Sequence, residues 1–286
     1  FHLRLDALSA FFLMVIGATS AGISAFAAGY FRHGEGTPPG LMCLQYHVFL
    51  ASMAGVVLAD DAYAFMVMWE TMALSSFFLV TSNHRVAEIR RAGYLYLLIA
   101  HVGAIGILMC FGVLQANTGD YSFANMRAQN LSPFWASVAF ALALFGFGAK
   151  AGLLPLHIWL PEAHPAAPSP VSALMSAVML KTAIYGLLRV LFDLLDTPQW
   201  WWGVVMLAVG LATALFGVVF AAVQSDMKRL LAYSSIENIG LLAAGIGLAL
   251  LFSAYSMKPL AALALTASLV HVASHALFKS LLFLST

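Results

Sequence analysis

The chain has 286 residues, of which 62% are hydrophobic and only 9% are charged, with a net charge of +1 and a mean hydropathy of +0.92. A soluble domain carries about a quarter charged residues, so this composition excludes a water-soluble domain, and no basic run points to nucleic acid. Cys43 and Cys110 lie in separate apolar stretches without C-x-x-C spacing, which argues against an iron–sulfur or zinc site, and we expect no cofactor in this chain. The chain begins at Phe1 rather than Met, and we expect it to be part of a longer protein.

Nine apolar stretches follow one another along the chain, each near the length of about 20 residues that a membrane-spanning helix requires. Helices satisfy their own backbone hydrogen bonds, which lipid cannot do. We therefore predict an all-α integral membrane bundle of about nine transmembrane helices, with a loop in the polar link from Gln115 to Pro133. The helices are predicted at 5–31, 41–59, 62–82, 92–116, 134–160, 170–192, 202–223, 228–252 and 260–284.

The fifth stretch has an unusual sequence for a continuous helix. Lys150 is flanked by small residues, Pro155 follows five positions later, and Pro161 closes the stretch. Proline removes a backbone donor and clashes with the preceding turn, so we predict a break near 150–155. An ordinary proline kink is the alternative, but a lysine beside a broken helix is typical of transport sites. His157 and His164 flank the broken segment, and His164 is interpreted as a residue that orders this loop.

The loop charges predict an orientation, because lysine and arginine are enriched on the cytoplasmic side. One side of the predicted bundle collects most of the basic residues, and the other collects most of the aspartates. The first side is therefore expected to be cytoplasmic. The basic side holds Arg32, Arg85, Arg90, Arg91, Lys228 and Arg229. The acidic side holds Asp60, Asp61, Asp120, Asp193 and Asp196, together with Arg4, Arg127, Arg189 and Lys258.

Seven ionisable residues lie near the middle of their predicted spans. A charge at that depth costs at least about 2.5–3.5 kcal/mol, so these side chains are expected to face one another or water. We call this set the midplane belt, and we predict that it relays protons, although structural ion pairing stays open for each member. The belt consists of Glu70, Lys150, Lys181, Glu237, His271, His275 and Lys279.

Residues four apart share one helix face, so His271, His275 and Lys279 are predicted to form a single stripe. His101 in the fourth span is a further candidate for the belt. His47 is interpreted as a packing residue.

Four segments of the chain carry a family resemblance. They are VLADDAYAFMVMWETMALSSFFLV around Glu70, GAKAGLLPLHIWLPEAHPAAPSPVSALMSAVMLKTAIYGLLR around Lys150 and Lys181, QSDMKRLLAYSSIENIG around Glu237, and HVASHALFKSLLFL around the histidines. They resemble the proton-conducting, antiporter-like membrane subunits of respiratory complex I and its relatives. Within that family they are most similar to the large membrane subunits of hydrogenase-4 and formate hydrogenlyase complexes.

The resemblance implies two inverted repeats of five helices, each with one broken helix. Residues 1–40 would hold an N-terminal helix, 41–192 the first repeat, and 193–286 part of the second. It also implies that Glu70 pairs with Lys150, that Lys181 lies between half-channels, and that the stripe around His275 bridges to the next site. Glu70 and Glu237 would occupy corresponding helices, although many relatives lack an acid matching Glu237.

The leading hypothesis is therefore a proton-translocating membrane subunit of an energy-converting oxidoreductase complex, of hydrogenase-4, formate hydrogenlyase or complex I-like type. No nucleotide fingerprint or cluster ligand is evident in the sequence, so redox chemistry is expected in hydrophilic partner subunits, reached through other membrane subunits. The expected location is the inner (plasma) membrane of a bacterium. Alternatives are a subunit of a multi-subunit sodium/proton antiporter, a structural membrane anchor and, last, a quinone-reducing subunit.

Overall fold

The protein is a helical membrane bundle. The computed structural model describes residues 1–31, 37–116, 118–195 and 198–286. Within these residues, nine helices are long and apolar enough to cross a membrane, which confirms the predicted all-α architecture. Arg32 and Asp196, which contributed to the predicted orientation, lie outside the described residues.

Two short helices, α5 (Phe123–Arg127) and α7 (Leu160–Ala166), lie between the nine spans. α5 falls within the link that was predicted as a loop, where the hydroxyl of Ser122 caps it by accepting from the N–H of Asn125. Large apolar side chains such as Leu98, Leu211 and Leu215 stay exposed on the outer faces, as expected for surfaces that meet lipid. In chain order the helices are α1 (Ala7–Tyr30), α2 (Pro39–Leu58), α3 (Ala62–Val80), α4 (Ala87–Leu114), α5 (Phe123–Arg127), α6 (Pro133–Ala151), α7 (Leu160–Ala166), α8 (Ser169–Leu194), α9 (Trp200–Ala222), α10 (Met227–Ala254) and α11 (Lys258–Leu284).

The predicted break in the fifth span lies directly after Lys150. α6 ends one residue later, and Gly152 follows in the left-handed conformation with φ of 82°. Gly152 and Leu153 both donate their backbone N–H to the carbonyl of Gly148. This helix ending favours a residue without a Cβ atom. Lys150 therefore occupies the last turn of a helix, rather than the centre of a span running over 134–160.

The two prolines that were predicted to cause the break lie beyond it. Pro155 belongs to the turn that connects α6 to α7. Pro161 lies in the first turn of α7, where its missing N–H leaves no hydrogen bond unmade. Pro161 thus helps to begin a short helix instead of closing the span, and the glycine, not a proline, terminates α6.

Helix α8 is the central helix of the bundle. Its apolar segment is entirely buried, and it packs against α1, α6 and α11. Two π-helical turns interrupt it, at Met175–Met179 and Val190–Leu194. In the first, Leu180 donates its N–H to the carbonyl of Met175, five residues back. Such turns disturb the regular pairing of nearby carbonyls and occur frequently at functional sites.

Helices α9 and α10 pack with their backbones in direct contact. A Cβ atom on Gly210 would collide with the backbone nitrogen of Ala244, and one on Gly240 with that of Ala214. Small residues let membrane helices approach closely, and here no larger residue fits without separating the helices. We call this contact the glycine seam. Its glycines recur at seven-residue intervals and are Gly203, Gly210, Gly217, Gly240 and Gly247.

A network of ion pairs closes one end of the bundle, and we call it the Arg189 cluster. Arg189 donates to both carboxylate oxygens of Asp6, at 2.6 and 3.0 Å, and to Asp193 at 2.9 Å. Arg127 makes two 2.8 Å hydrogen bonds to Asp193 and one of 3.2 Å to Asp60. The hydrogen bonds from Arg189 hold the pKa of Asp6 well below its ordinary value. The cluster joins the start of α1, the α2–α3 link, α5 and the end of α8.

The opposite end of the bundle carries Lys228 at the start of α10. The Nζ atom of Lys228 donates to the carbonyl of Ala167 at 2.9 Å, which ties α10 to the segment between α7 and α8. We call the two ends of the bundle the Arg189 face and the Lys228 face.

Candidate functional site

Lys150 lies buried at the broken helix, with 2% of its surface exposed. Its Nζ atom donates to the hydroxyl of Tyr96 at 2.6 Å, and that hydroxyl is 2.5 Å from the hydroxyl of Ser76. The indole of Trp159 covers the ring of Tyr96, with centroids 4.9 Å apart, and donates its N–H to the carbonyl of Ala149. The lysine head thus begins a chain of hydroxyl groups that runs from α6 through α4 to α3.

Among the described residues, Glu70 contacts His101 rather than Lys150 directly. Its carboxylate lies 3.4 Å from Nε2 of His101 on α4, and the two side chains are 32% and 47% exposed, respectively. Among the described residues, Lys150 has no carboxylate oxygen within 4 Å. The acid is therefore paired with a histidine at the edge of the bundle, while the lysine is paired with a phenol inside it.

Lys181 lies at the centre of α8 and is equally buried, with 2% exposed. Its Nζ atom contacts Nδ1 of His275 at 2.5 Å and the carbonyl of Ser176 at 2.6 Å. Ser176 belongs to the π turn, so the irregular turn supplies a backbone acceptor that points toward the lysine head. A lysine and an imidazole at this distance lie within the range in which a proton passes directly between two groups.

The predicted stripe on α11 is present in the structure. The rings of His271 and His275 lie 6.0 Å apart, and Lys279 follows one turn later. The Nζ atom of Lys279 donates to the carbonyl of Leu231 on α10 at 3.0 Å. Nε2 of His271 and Nε2 of His275 are buried, and neither has a hydrogen-bond partner among the described residues. The row therefore has two ring nitrogens free to take part in further hydrogen bonds.

Glu237, the remaining member of the belt, is half-buried on α10. Its carboxylate lies 3.5 Å from the hydroxyl of Ser234, and within the part of the chain that the structure describes it forms no ion pair within 4 Å. On the same helix, the hydroxyl group of Ser235 meets that of Ser176 at 2.8 Å and joins α10 to α8. Glu237 thus has no direct cationic partner among the described residues.

The structure divides the predicted belt into four parts and adds residues to three of them. The four parts are Glu70, Lys150, Glu237, and the row that Lys181 forms with the α11 stripe. Lys150 gains Tyr96 and Ser76, and Lys181 gains Ser176, while His101 pairs with Glu70. A hydroxyl in an apolar span is a weak signal, because serine and tyrosine also occur there as ordinary packing residues. Within the described ranges, no three His, Cys, Asp or Glu side chains are placed to hold a metal ion.

The described residues form nine helices suited to span a membrane, and one ends just after a buried lysine. With the buried lysines on neutral hydrogen-bond partners, this defines a polytopic membrane protein with ionisable groups inside its bundle. The chain belongs to the family described as "NADH:quinone oxidoreductase/Mrp antiporter, TM", whose model matches residues 59–286. This confirms the family predicted from the sequence motifs.

Individual relatives agree with this assignment. The chain is 44% identical to hydrogenase-4 component B of Escherichia coli K12, over 99% of this chain and 42% of that protein. It is 33% identical to formate hydrogenlyase subunit 3 of the same organism, over 99% of this chain and 45% of that one. A chain of the Mrp complex from Dietzia sp. DQ12-45-1b has a TM-score of 0.84 at 33% identity, with 98% of this chain and 30% of that chain covered. The chain thus spans less than half the length of these relatives.

Proposed function

We propose that this chain forms part of a proton-translocating membrane subunit of an energy-converting oxidoreductase complex, of hydrogenase-4, formate hydrogenlyase or complex I-like type. The observation that carries the proposal is the contact of Lys181 with His275 inside the bundle. Family membership and the similarity to two complex subunits support it. Redox cofactors belong, on this proposal, to other subunits.

The chemistry of the contact suits proton transfer. If Lys181 carries the proton, Nδ1 of His275 accepts the hydrogen bond, and Nε2 then holds the proton of the neutral ring. If the proton moves to Nδ1, the lysine becomes a neutral amine and the charge passes to α11. Both states keep the same heavy atoms in contact. Burial disfavours either charge, so a nearby change in charge can decide which group holds the proton.

The rest of the belt provides neighbours for this pair. Lys150 reaches α3 through Tyr96 and Ser76, and Lys279 continues the row of α11 toward the Lys228 face. We assign Glu70 and Glu237 as acids whose charge biases the nearby lysines, in keeping with their positions in the family motifs. The belt would carry protons across the plane of the bundle in steps between neighbouring groups.

A second candidate is a subunit of a multi-subunit cation/proton antiporter, which the similarity to the Mrp complex favours. The same lysines and histidines would serve both functions. The two proposals differ in the coupled partner, since an antiporter needs a sodium or potassium gradient and a redox-driven pump needs an electron donor. Proton movement in vesicles that depends on electron donor, and not on sodium or potassium, would select the first.

We further propose that the protein lies in the inner membrane of a bacterium, beside other membrane subunits, with the Lys228 face in the cytoplasm. The basic residues of that face support this orientation. In the full-length protein, a cysteine at Arg90 should be labelled from the cytoplasm and one at Gln129 from outside. Labelling with the reverse sidedness at both positions would overturn the orientation.

The replacement Lys181→Met tests the function in the full-length protein within its complex. Methionine keeps the apolar volume of the lysine stem and removes the titratable group. We expect all subunits to stay together and proton uptake into vesicles to fall about 100-fold or more, the scale on which positioned proton-transfer groups act. The matched control is Lys258→Met, the same chemical change at an exposed residue at the start of α11.

The outcomes of this experiment separate the hypotheses. Normal uptake in the Lys181→Met complex would refute the relay. Loss of the complex itself would indicate a structural role, because removal of one group would then leave its partner buried without compensation.

A further inference from the structure

His164 is a buried histidine that the midplane belt does not include. It lies in α7, is fully buried, and neither ring nitrogen has a hydrogen-bond partner within the described ranges. Its backbone is fixed, since its carbonyl accepts a 2.8 Å hydrogen bond from the hydroxyl of Ser172. Buried polar groups are nearly always hydrogen-bonded. A ring with two free nitrogens inside the protein is therefore unexpected for a residue that only orders a loop.

The ring of His164 extends the row of ionisable groups on α11. It stacks on Phe283, with centroids 4.8 Å apart and planes 20° apart. Phe283 lies four residues after Lys279, so it occupies the same helix face as the stripe. His164 thus takes the next position after Lys279 in the direction of the Lys228 face.

A cavity of about 300 Å³ lies next to α7 at the Lys228 face. Its wall includes Pro165, which directly follows His164 in the chain, together with Pro168 and Lys228. Lys228 is held there by its hydrogen bond to the carbonyl of Ala167. A cavity of this size with polar groups in its wall is large enough to hold several water molecules. The buried ring of His164 is not itself part of this wall. The cavity reaches Pro165, the residue after it, and the ring contacts Phe283 of the α11 row.

We propose that His164 is the proton-entry residue of this chain, through which protons pass from the cavity at Lys228 to Lys279 and the midplane belt. The inference rests on the proposed proton translocation and adds its point of entry. The step is balanced: water that enters from the cavity relays a proton from the aqueous phase to one ring nitrogen, each water molecule taking up a proton as it gives one away. The other ring nitrogen releases its own proton to the neutral amine of Lys279. Ring tautomerisation then restores the starting state, with no net change in the histidine.

The experiment uses the full-length protein in its complex, and His164→Phe is the first variant. Phenylalanine keeps an aromatic ring against Phe283 and removes both nitrogens. We expect an unchanged subunit composition and a fall in proton uptake of at least about tenfold, a modest loss for a positioned proton-transfer group. The matched control is His47→Phe, because His47 lies exposed on α2 and its ring bonds the carbonyl of Cys43 within the same helix.

A second variant separates proton transfer from packing. His164→Ala removes the ring, and added imidazole should restore uptake, whereas pyrrole, a ring of similar size without a basic nitrogen, should not. Uptake equal to wild type in His164→Phe would overturn the proposal. So would a loss that imidazole fails to restore, or disassembly of both variants, since either result assigns His164 a packing role.

The Lys181→Met complex distinguishes this inference from the function on which it rests. If Lys181→Met stops uptake while His164→Phe does not, only the entry residue is wrong. If Lys181→Met transports protons normally, the proposed function itself fails.

Discussion

Two regions of the bundle concentrate ionisable side chains, and they differ in the partners that these side chains contact. In the Arg189 cluster, two arginines meet three aspartates, and each guanidinium contacts carboxylate oxygens directly. In the midplane belt, the heads of Lys150, Lys181 and Lys279 contact a phenol, an imidazole and backbone carbonyls. The first region pairs opposite charges, and the second surrounds potential charges with neutral groups.

The difference indicates what each region can do. An arginine held by carboxylates stays protonated at every accessible pH, so the Arg189 cluster can hold helix ends together but cannot pass a proton. A buried lysine beside neutral acceptors has no fixed opposite charge, and its protonation depends on its surroundings. The ion pairs that hold helix ends together and the lysines suited to exchange protons thus occupy separate parts of one bundle.

The variant expected to have the largest effect on this comparison is Arg189→Met, which removes the central cation of the Arg189 cluster. The change leaves Asp6 and Asp193 without their central cation, and loss of one partner of a buried ion pair costs about 3–5 kcal/mol. We expect much lower yield and a large drop in the apparent Tm of the purified complex, measured by fluorescence-detected size exclusion after heating. A variant with the stability of wild type would show that the cluster does not hold α1 and α8 together.

The control for Arg189→Met is Arg229→Met. Arg229 pairs with Glu162 at 3.1 Å, and the two side chains are 41% and 47% exposed. Exposed pairs of this kind contribute about 0–1 kcal/mol, so the apparent Tm should barely move. A fall as large as that of Arg189→Met would mean that burial does not distinguish the two ion pairs.

A smaller effect is expected from Tyr96→Phe, which tests the hydrogen bond between Lys150 and the phenol. The change removes the hydroxyl that accepts from Lys150 and contacts Ser76. A buried donor left without its acceptor costs about 1–3 kcal/mol. The apparent Tm should fall by less than in Arg189→Met, and proton uptake should slow while the complex stays intact. Unchanged stability together with unchanged uptake would remove Tyr96 from the site.

The smallest expected effect concerns pH and Asp6. Arg189 lowers the pKa of Asp6 in the folded protein, below the value of about 3.9 that an unfolded aspartate shows. The stabilisation is therefore complete above about pH 5 and is lost as the pH falls through the folded pKa. Between pH 6 and pH 3, the apparent Tm of wild type should fall more steeply than that of Asp6→Asn. Parallel curves for the two proteins would contradict this contribution.

Much of the fold could be predicted because lipid imposes simple rules on sequence. Each span needs a long apolar run, and all nine were found from length and hydropathy alone. The end of α6 was placed near the correct residue but assigned to proline, although a glycine after the last helical turn is itself a common stop signal. The π turn near Lys181 has no sequence signature, since it replaces one helical hydrogen-bond pattern by another.

The site was predictable in its ionisable residues but not in their partners. A lysine or glutamate in an apolar span stands out because its insertion is costly. Tyr96 and Ser76 carry no such cost and did not stand out. The pairing of Glu70 with His101 depends on how α3 and α4 are rotated about their axes, which helix periodicity alone leaves open. His164 was interpreted as a loop residue because its burial arises from α11, more than a hundred positions away.

The glycine seam between α9 and α10 makes these two helices a rigid pair. Where backbone meets backbone, no side chain can rotate to let one helix slide along the other, and separating the pair would open an empty gap along the whole seam. Any bending of the bundle is therefore expected in other helices. Gly152 and the π turns of α8 are the places where the helical hydrogen-bond pattern is already interrupted.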